Sequence, residues 1–425
     1  MEKFRWNIYA DQPHNIAPRK ERFKYHLKHG ASYLSLVSSN LRLAFPGLRL
    51  YRKYWKGMYR KSCRIQKPFA VSVSPTAGRD EEVLENLKET GVNKSLVRIP
   101  SWERDNFSMY EKFLELLYKD KIDLTIALLQ QREDVLKPSH WKSFMEDAFS
   151  RFGRLCSFFE IGHSWNRTKW GVWDYKEYLK LARPAISLAQ RYGVKLIGPA
   201  VIDFEFHLYP PVLKVIPFDK VSSLLYVDRY GAPENKQFGW DTARKIALLK
   251  AIIDCCSKER QGCWITEVNW PLKGTGKYSP ASGKPNVSEE EQANYLVRYF
   301  VICLASGFVE RVYWWQLVAP GYGLIDSHQK EWRHRPSFYA LRTLVRQVGG
   351  STFIEKAQDS RVKIFMFNKG REDFAVCWTG GIPCDYFFPR KIKRVLNRDG
   401  REIQFFSQKI KIEGNPKYIF FENRV

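Results

Sequence analysis

The stretch FFEIGHSWNR, residues 158–167, is an apolar run holding one carboxylate, and at Gly162 it gives way to polar side chains. A short run of this kind reads as a strand buried on both faces, and the polar residues that follow stand where the strand leaves its sheet. Runs of the same texture recur along the chain: FAVSVSP (69–75), SLVRIP (95–100), IDLTIALL (122–129), VKLIGPAV (194–201), VSSLLYV (221–227), CWITEV (263–268) and RVYWWQL (311–317). Amphipathic helical patterns such as DEEVLENLKETG, MYEKFLELLYKD and SEEEQANYLVRYFVICLASG lie between them. Eight strand and helix repeats at about the length of a (β/α)8 unit predict a TIM barrel over residues 68–350. The rival, an open doubly wound sheet, needs a GxGxxG or phosphate loop after its first strand, and neither is present.

Two flanking segments differ from this texture. After Gly349-Gly350 the helical signal stops, and VKIFMFNKG, DFAVCWTGG, KRVLNRDGREIQF and PKYIFF, with turns at Asn368-Lys369-Gly370 and Asp399-Gly400, predict a small antiparallel β-sandwich over 351–425. Residues 1–67 form a basic amphipathic N-terminal arm. Its sixteen Lys and Arg face only Glu2, Asp11 and Glu21, a net +13 that is about half of the +25 carried by all 425 residues. Two readings of the arm stay open. It lies on an anionic membrane surface, its aromatics among the headgroups, or it folds as a solvated arm over the next domain.

The first thirty residues contain no continuous apolar stretch of the signal-peptide kind, and no later run is long enough to span a bilayer. The eight cysteines form no CxxC pair, which speaks for a reducing compartment and against a metal site or disulfide framework. The expected location is therefore cytoplasmic, with peripheral attachment at the inner face of the membrane, and no metal or cofactor is expected.

Barrel chemistry gathers at the C-terminal ends of the strands. Those positions hold Arg98, Trp102, Gln130, Glu160, His163, Ser164, Asn166, Glu205, Asp228, Tyr230, Glu267, Asn269, Trp314 and Trp315. Carboxylates, amides and tryptophans dominate the set. Tryptophan faces stack on sugar rings, amides bind hydroxyls, and two carboxyl groups suffice to cleave a glycosidic bond. No HxH or HExxH spacing supports a catalytic metal, and no GxSxG supports a serine hydrolase. Nucleic acid is not an expected partner, because the basic arm carries no reader motif and the strand ends no basic cluster.

At this point a family resemblance becomes specific. CWITEVNWPL (263–272) resembles the seventh strand of clan A glycoside hydrolases, where a Thr-Glu pair presents the nucleophile. YWWQLVAPGYGLID (313–326) is similar to their eighth strand, LVRI (96–99) to the second, and FFEIGHSWN to the fourth, normally Glu-Ile-Gly-Asn-Glu-Pro-Asn. KIEGNPKYIFF is similar to the closing strands of the β-sandwich that often follows such barrels. The resemblance implies Glu267 as nucleophile, Arg98 holding it ionised, Tyr230 orienting it and Trp314 flooring the sugar site. Trp102, Gln130, Ser164, Asn166, Asn269 and Trp315 would complete the binding surface. A blander reading makes Glu267 a buried carboxylate satisfied by Arg98.

The departure lies on the fourth strand, where His163-Ser164 replaces the family's Asn-Glu and so removes the acid/base. His163 is adjacent and titrates in the right range, but strand parity turns it away from the side of Ser164. Glu160 has the parity of Ser164 but lies deeper, in the core beside a basic residue. Asp228, where the family often has a histidine, and Glu205 reach in from neighbouring strands. Two functions follow. One is a glycosidase or transglycosylase acting on O-glycosidic bonds of an envelope or surface glycan or glycolipid, such as a lipopolysaccharide precursor, with Glu267 as nucleophile and His163 or Asp228 in the acid role. The other is a degenerate barrel that binds an oligosaccharide without cleaving it, within polysaccharide or lipopolysaccharide assembly.

Overall fold

The computed structural model describes residues 4–14, 18–66, 68–228, 231–257, 262–280 and 286–422. Eight parallel strands close into a barrel: β1 Phe69–Ser72, β2 Lys94–Pro100, β3 Asp123–Leu129, β4 Phe158–Ile161, β5 Lys195–Ile202, β6 Lys220–Leu224, β7 Cys263–Val268 and β8 Val309–Trp314. All eight coincide with apolar runs, because a barrel strand is covered by helices outside and by packed side chains inside. Ala70, Leu96, Ala127, Leu129, Ile197, Trp264 and Tyr313 fill the interior.

One strand end differs from expectation in a way that matters. β6 was expected to reach Val227 but stops at Leu224, because the Tyr226 amide turns back onto the Leu224 carbonyl at 3.1 Å. That tight turn breaks the period of two, so sequence parity no longer predicts where the next side chains point.

The C-terminal unit is two-layered, as expected. Strands Thr352–Lys356, Val362–Lys369, Glu372–Thr379, Ile392–Leu396, Glu402–Ile403 and Lys417–Phe421 form one antiparallel sheet, and Cys384–Phe387 pairs with Lys409–Ile412 in a second. Val362, Ile364, Ala375, Cys377, Phe388, Ile410 and Ile412 make the core of this unit.

The described residues of 1–67 fold over the barrel, as in the second of the two readings of this segment. A hairpin of Trp6–Asn7 and Gln12–Pro13 lies over the barrel mouth, where Trp6 packs on Trp102 and Trp170. Helix Gly30–Gly57 runs along helix Thr242–Cys256 and across the short helix Tyr209–Leu213 of the β5–β6 connection. Tyr51 packs on Trp240, the Tyr54 hydroxyl donates to Asp254, and the Asn40 amide donates to the His207 carbonyl at 2.9 Å. Cys63–Arg64 then adds an edge strand to the C-terminal sheet against Thr352–Phe353. The segment is thus folded over the barrel and tied to both other units.

Its outer face is unusual. Leu34, Val37, Leu41, Phe45 and Leu48 are 47–81 % exposed, and their spacing puts them on one stripe of the long helix. Arg42, Arg49, Arg52, Lys53 and Lys56 are exposed on the same helix, which contains no Asp or Glu. No helix among the described residues is long and apolar enough to cross a membrane.

This stitching is measurable. Tyr59 packs on Phe353 and Phe365 and donates its hydroxyl to the Ile302 carbonyl at 2.9 Å. Tyr59→Ala is expected to cost about 2 kcal/mol in urea denaturation, near the lower end of large-to-small core changes; a free arm would give no change.

Candidate active site

Glu267 sits near the end of β7, and its neighbour Thr266 also faces inward. A regular strand sends successive side chains to opposite faces. Here pairing with β8 slips between Ile265 and Val268, and the extra residue re-aims the carboxylate toward the barrel axis. Two donors then meet it, beside an imidazole whose Nε2 accepts from the same Arg98 guanidinium at 2.9 Å. The Arg98 guanidinium, from β2, donates to Oε2, the Tyr226 hydroxyl donates to Oε1, and His163 Nε2 lies 3.2 Å from Oε2. Arg98 also stacks on Trp315, its guanidinium carbon 3.3 Å from the ring centroid. A carboxylate so supplied is fixed in one orientation.

His163 corrects the parity expectation. Gly162 adopts φ +77° and Ser164 φ 43°, so the chain twists as it leaves β4 and both His163 and Ser164 line the central cavity. Gly162 cannot be replaced cheaply: its φ is left-handed, and a Cβ would meet the Tyr178 ring at 3.0 Å. Burial, with Arg98 and Lys169 nearby, holds the His163 pKa well below the ordinary histidine range. The imidazole is therefore uncharged near neutral pH and has no extra proton to give.

The cavity has a volume of about 180 Å³. Asp11, Gln12, Arg98, His163, Ser164, Arg167, Lys169, Trp170, Tyr226, Glu267, Asn269 and Trp315 contribute to its lining. Sequence reasoning had named Arg98, His163, Ser164, Glu267, Asn269 and Trp315 among these. Asn269 donates its amide to the Trp315 carbonyl at 2.7 Å.

Other expected site residues are placed elsewhere. Trp314 lies fully buried, stacked on Trp270 in the core, and Trp315 takes the cavity wall instead. Gln130 is buried and clamps the loop after β4 through the His163 backbone and the Trp170 carbonyl. Asn166 bridges to Ile202 and Glu205. Trp102 lies under the N-terminal hairpin, against Phe4 and Trp6. Asp228 accepts the Gly231 amide at 2.6 Å and the Asn235 amide at 3.2 Å, so it caps a turn and does not line the cavity. Glu205 is bound by Arg167. Tyr230 lies outside the described residues, and Tyr226 makes the contact expected of it.

Tyr226, Asp11, Arg167 and Lys169 were missed. Tyr226 was legible in part, because YVDRY offers two tyrosines four apart and the strand ends before the first of them. Nothing in the sequence marks Asp11, which meets Arg98 across 87 positions of chain.

Glu160 lies beneath the cavity, inside the barrel. The Thr266 hydroxyl donates to it at 2.7 Å, and His163 Nδ1 lies 4.0 Å from its Oε2. Burial pushes its carboxyl up to about 7, against the lowering effect of Ser222, Thr266 and Arg98. The unfolded chain loses this proton near about 4.3. Between that pH and 7 the native state binds a proton that the unfolded state has released, so stability falls as pH rises through the window. Relative to Glu160→Gln, the wild type is expected to lose on the order of 3 kcal/mol between pH 4 and 8 in urea denaturation; parallel pH profiles would show that the carboxyl is ionised throughout.

The fold is shared with solved glycoside hydrolase structures. A family 39 glycoside hydrolase from the gut symbiont Bacteroides cellulosilyticus WH2 superposes with a TM-score of 0.65 at 16% identity, covering 84% of this chain and 81% of that one. A family 30 endoxylanase from Clostridium papyrosolvens C71 gives 0.57 at 10% identity, with 86% and 98% covered. A family 51 arabinofuranosidase from Xanthomonas axonopodis pv. citri gives 0.55 at 12% identity, with 85% and 98% covered. No protein-family model matches the chain, and no curated protein does.

Proposed function

We propose that the protein is a glycoside hydrolase or transglycosylase that cleaves O-glycosidic bonds of an envelope or surface glycan or glycolipid, with Glu267 as nucleophile. The observation that carries this reading is the convergence of Arg98, Tyr226 and His163 on one carboxylate at the C-terminal mouth of the barrel. The bland alternative, a structural ion pair, accounts for Arg98 alone. It leaves unexplained a phenol and an imidazole on the same carboxylate and an adjoining cavity walled by Trp315 and Asn269. The likeness to glycoside hydrolases supports the choice of an oligosaccharide as ligand.

In this reading Glu267 attacks the anomeric carbon and forms a glycosyl-enzyme, which water or a second sugar then releases. Arg98 and Tyr226 hold the attacking oxygens in place before attack. Ser164 stands where the family's acid/base is carried, and serine does not supply that proton at neutral pH. This substitution favours the second reading, a barrel that binds the glycan and no longer cuts it. Glycosides of 2-deoxy-2-fluoro sugars with activated leaving groups separate the two, since the first step on them needs no acid. Peptide mapping is expected to find a glycosyl adduct on Glu267 that is absent from Glu267→Gln; folded protein that stays unlabelled across neutral, amino and acidic sugars is a binding barrel.

We further propose that the long helix holds the protein on the anionic inner face of the membrane. An exposed apolar stripe beside Arg42, Arg49, Arg52, Lys53 and Lys56, without an acid on the helix, has the charge and amphipathicity of an interfacial helix. Leu41→Ser with Phe45→Ser, in the full chain, is expected to weaken co-sedimentation with phosphatidylglycerol vesicles at least tenfold, since each side chain gives up about 1.5 kcal/mol or more of burial. Undiminished binding would remove the helix from this role.

A further inference from the structure

The N-terminal hairpin is built into the mouth of the barrel. Trp6 packs on Trp102 at 5.1 Å and edge-on to Trp170 at 5.9 Å, and Tyr9 meets Tyr278 at 5.4 Å beneath the Lys277 ammonium. The Gln12 amide donates to the Pro280 carbonyl at 3.0 Å, and its oxygen accepts from Lys169. Within the turn, Asn7 Oδ1 accepts the amides of Tyr9 and Ala10, and Asp11 follows at φ 49°. These contacts span the loop after β4, at Lys169-Trp170, and the loop after β7, at Tyr278–Pro280. Asp11 is carried between them, and its Oδ2 lies 3.3 Å from Nη1 of Arg98, the same guanidinium that binds Glu267 through Nη2.

Asp11 and Glu267 are the two carboxylic acids among the described residues lining the cavity. The other candidates for a proton donor are spoken for: Glu160 lies deeper in the barrel, Glu205 is bound by Arg167, Asp228 caps a turn and His163 is uncharged. The Asp11 side chain keeps 28 % of its surface exposed, enough to meet a ligand. From this arrangement we propose that Asp11, delivered by the hairpin, takes the acid/base role that Ser164 has lost, an inference that rests on the hydrolase reading of Glu267.

The chemistry balances. In the first step the Asp11 carboxylic acid gives its proton to the glycosidic oxygen as the bond from that oxygen to the anomeric carbon breaks and Glu267 bonds to the carbon. The leaving group departs as an alcohol. In the second step the Asp11 carboxylate takes a proton from water, whose oxygen displaces Glu267, and the acid form returns. One guanidinium shared unequally by two carboxyl groups favours ionisation of the one it holds more tightly, so their proton affinities separate. Glu267 has the Arg98, Tyr226 and His163 contacts, whereas Asp11 has the single longer contact to Arg98. Burial and the neighbouring Glu103 raise the Asp11 pKa, outweighing the opposing effect of Arg98. The shared guanidinium brings both carboxyl groups within reach of one side chain.

The test compares Asp11→Asn and Asp11→Ala with the wild type in the full chain. The probes are dinitrophenyl and phenyl glycosides of the sugar that labels Glu267. Both variants are expected to label Glu267 from dinitrophenyl 2-fluoro glycosides at near the wild-type rate, which also reports that they are folded. Turnover of phenyl glycosides should fall about 10² to 10⁴-fold. Added azide should restore turnover of the dinitrophenyl glycosides by Asp11→Ala and yield a glycosyl azide, a rescue that a merely structural role would not produce. Labelling of Glu267 with phenyl glycoside turnover unchanged or raised in both variants would overturn the proposal alone and make the hairpin a wall or plug. A wild type that never labels would overturn the hydrolase reading, and this proposal with it.

Discussion

The ion pair between Arg98 and Glu267 is the constraint around which the mouth of the barrel is arranged. Both side chains are almost fully buried, and moving two such charges out of water costs several kcal/mol each. An ion pair of that kind is weak evidence for stability by itself. It persists here because its surroundings supply further partners: the Tyr226 phenol, the His163 imidazole, the face of Trp315 and the Asp11 carboxylate. These come from the ends of three other barrel strands or the loops after them, and from the N-terminal hairpin, so the pair ties together elements far apart in the chain. Loss of register in any one of them leaves a buried charge without compensation.

Three local departures from regular geometry serve this cluster. The slip between Ile265 and Val268 aims Glu267 inward, the turn at Leu224–Tyr226 ends β6 before Tyr226, and the left-handed residues Gly162 and Ser164 bring His163 to the axis. Each breaks the alternation that the rest of its strand obeys. Irregular backbone gathers where side chains must point in directions that a uniform strand does not offer.

The N-terminal segment joins two roles in one stretch of chain. Its first part closes the mouth and adds Asp11 to the cavity, while its long helix covers the barrel over the β5–β6 connection, where the chain's own helix is only Tyr209–Leu213. The basic, aromatic composition of this segment reflects both duties. Trp6, Tyr51 and Tyr54 pack inward, and the leucines with their neighbouring arginines and lysines remain on the outside.

The sequence by itself determined the barrel, the C-terminal sandwich and the strand-end positions of Arg98 and Glu267, whose pairing only the family resemblance implied. A strand covered on both faces must be apolar throughout, and the residue that ends it is read directly from where the apolar run stops. Those are short-range facts, visible within a few residues of Glu267 or Arg98. Tertiary structure alone decided which neighbours complete the site. The inward placement of Tyr226, Trp315 in place of Trp314, and the inward turn of His163 depend on bulges and turns of one residue, and one residue reverses the face to which a side chain points. Asp11 depends on more than that, since its meeting with Arg98 is made by a hairpin docked on Trp102 and Trp170, a contact between distant segments that no local pattern of residues encodes.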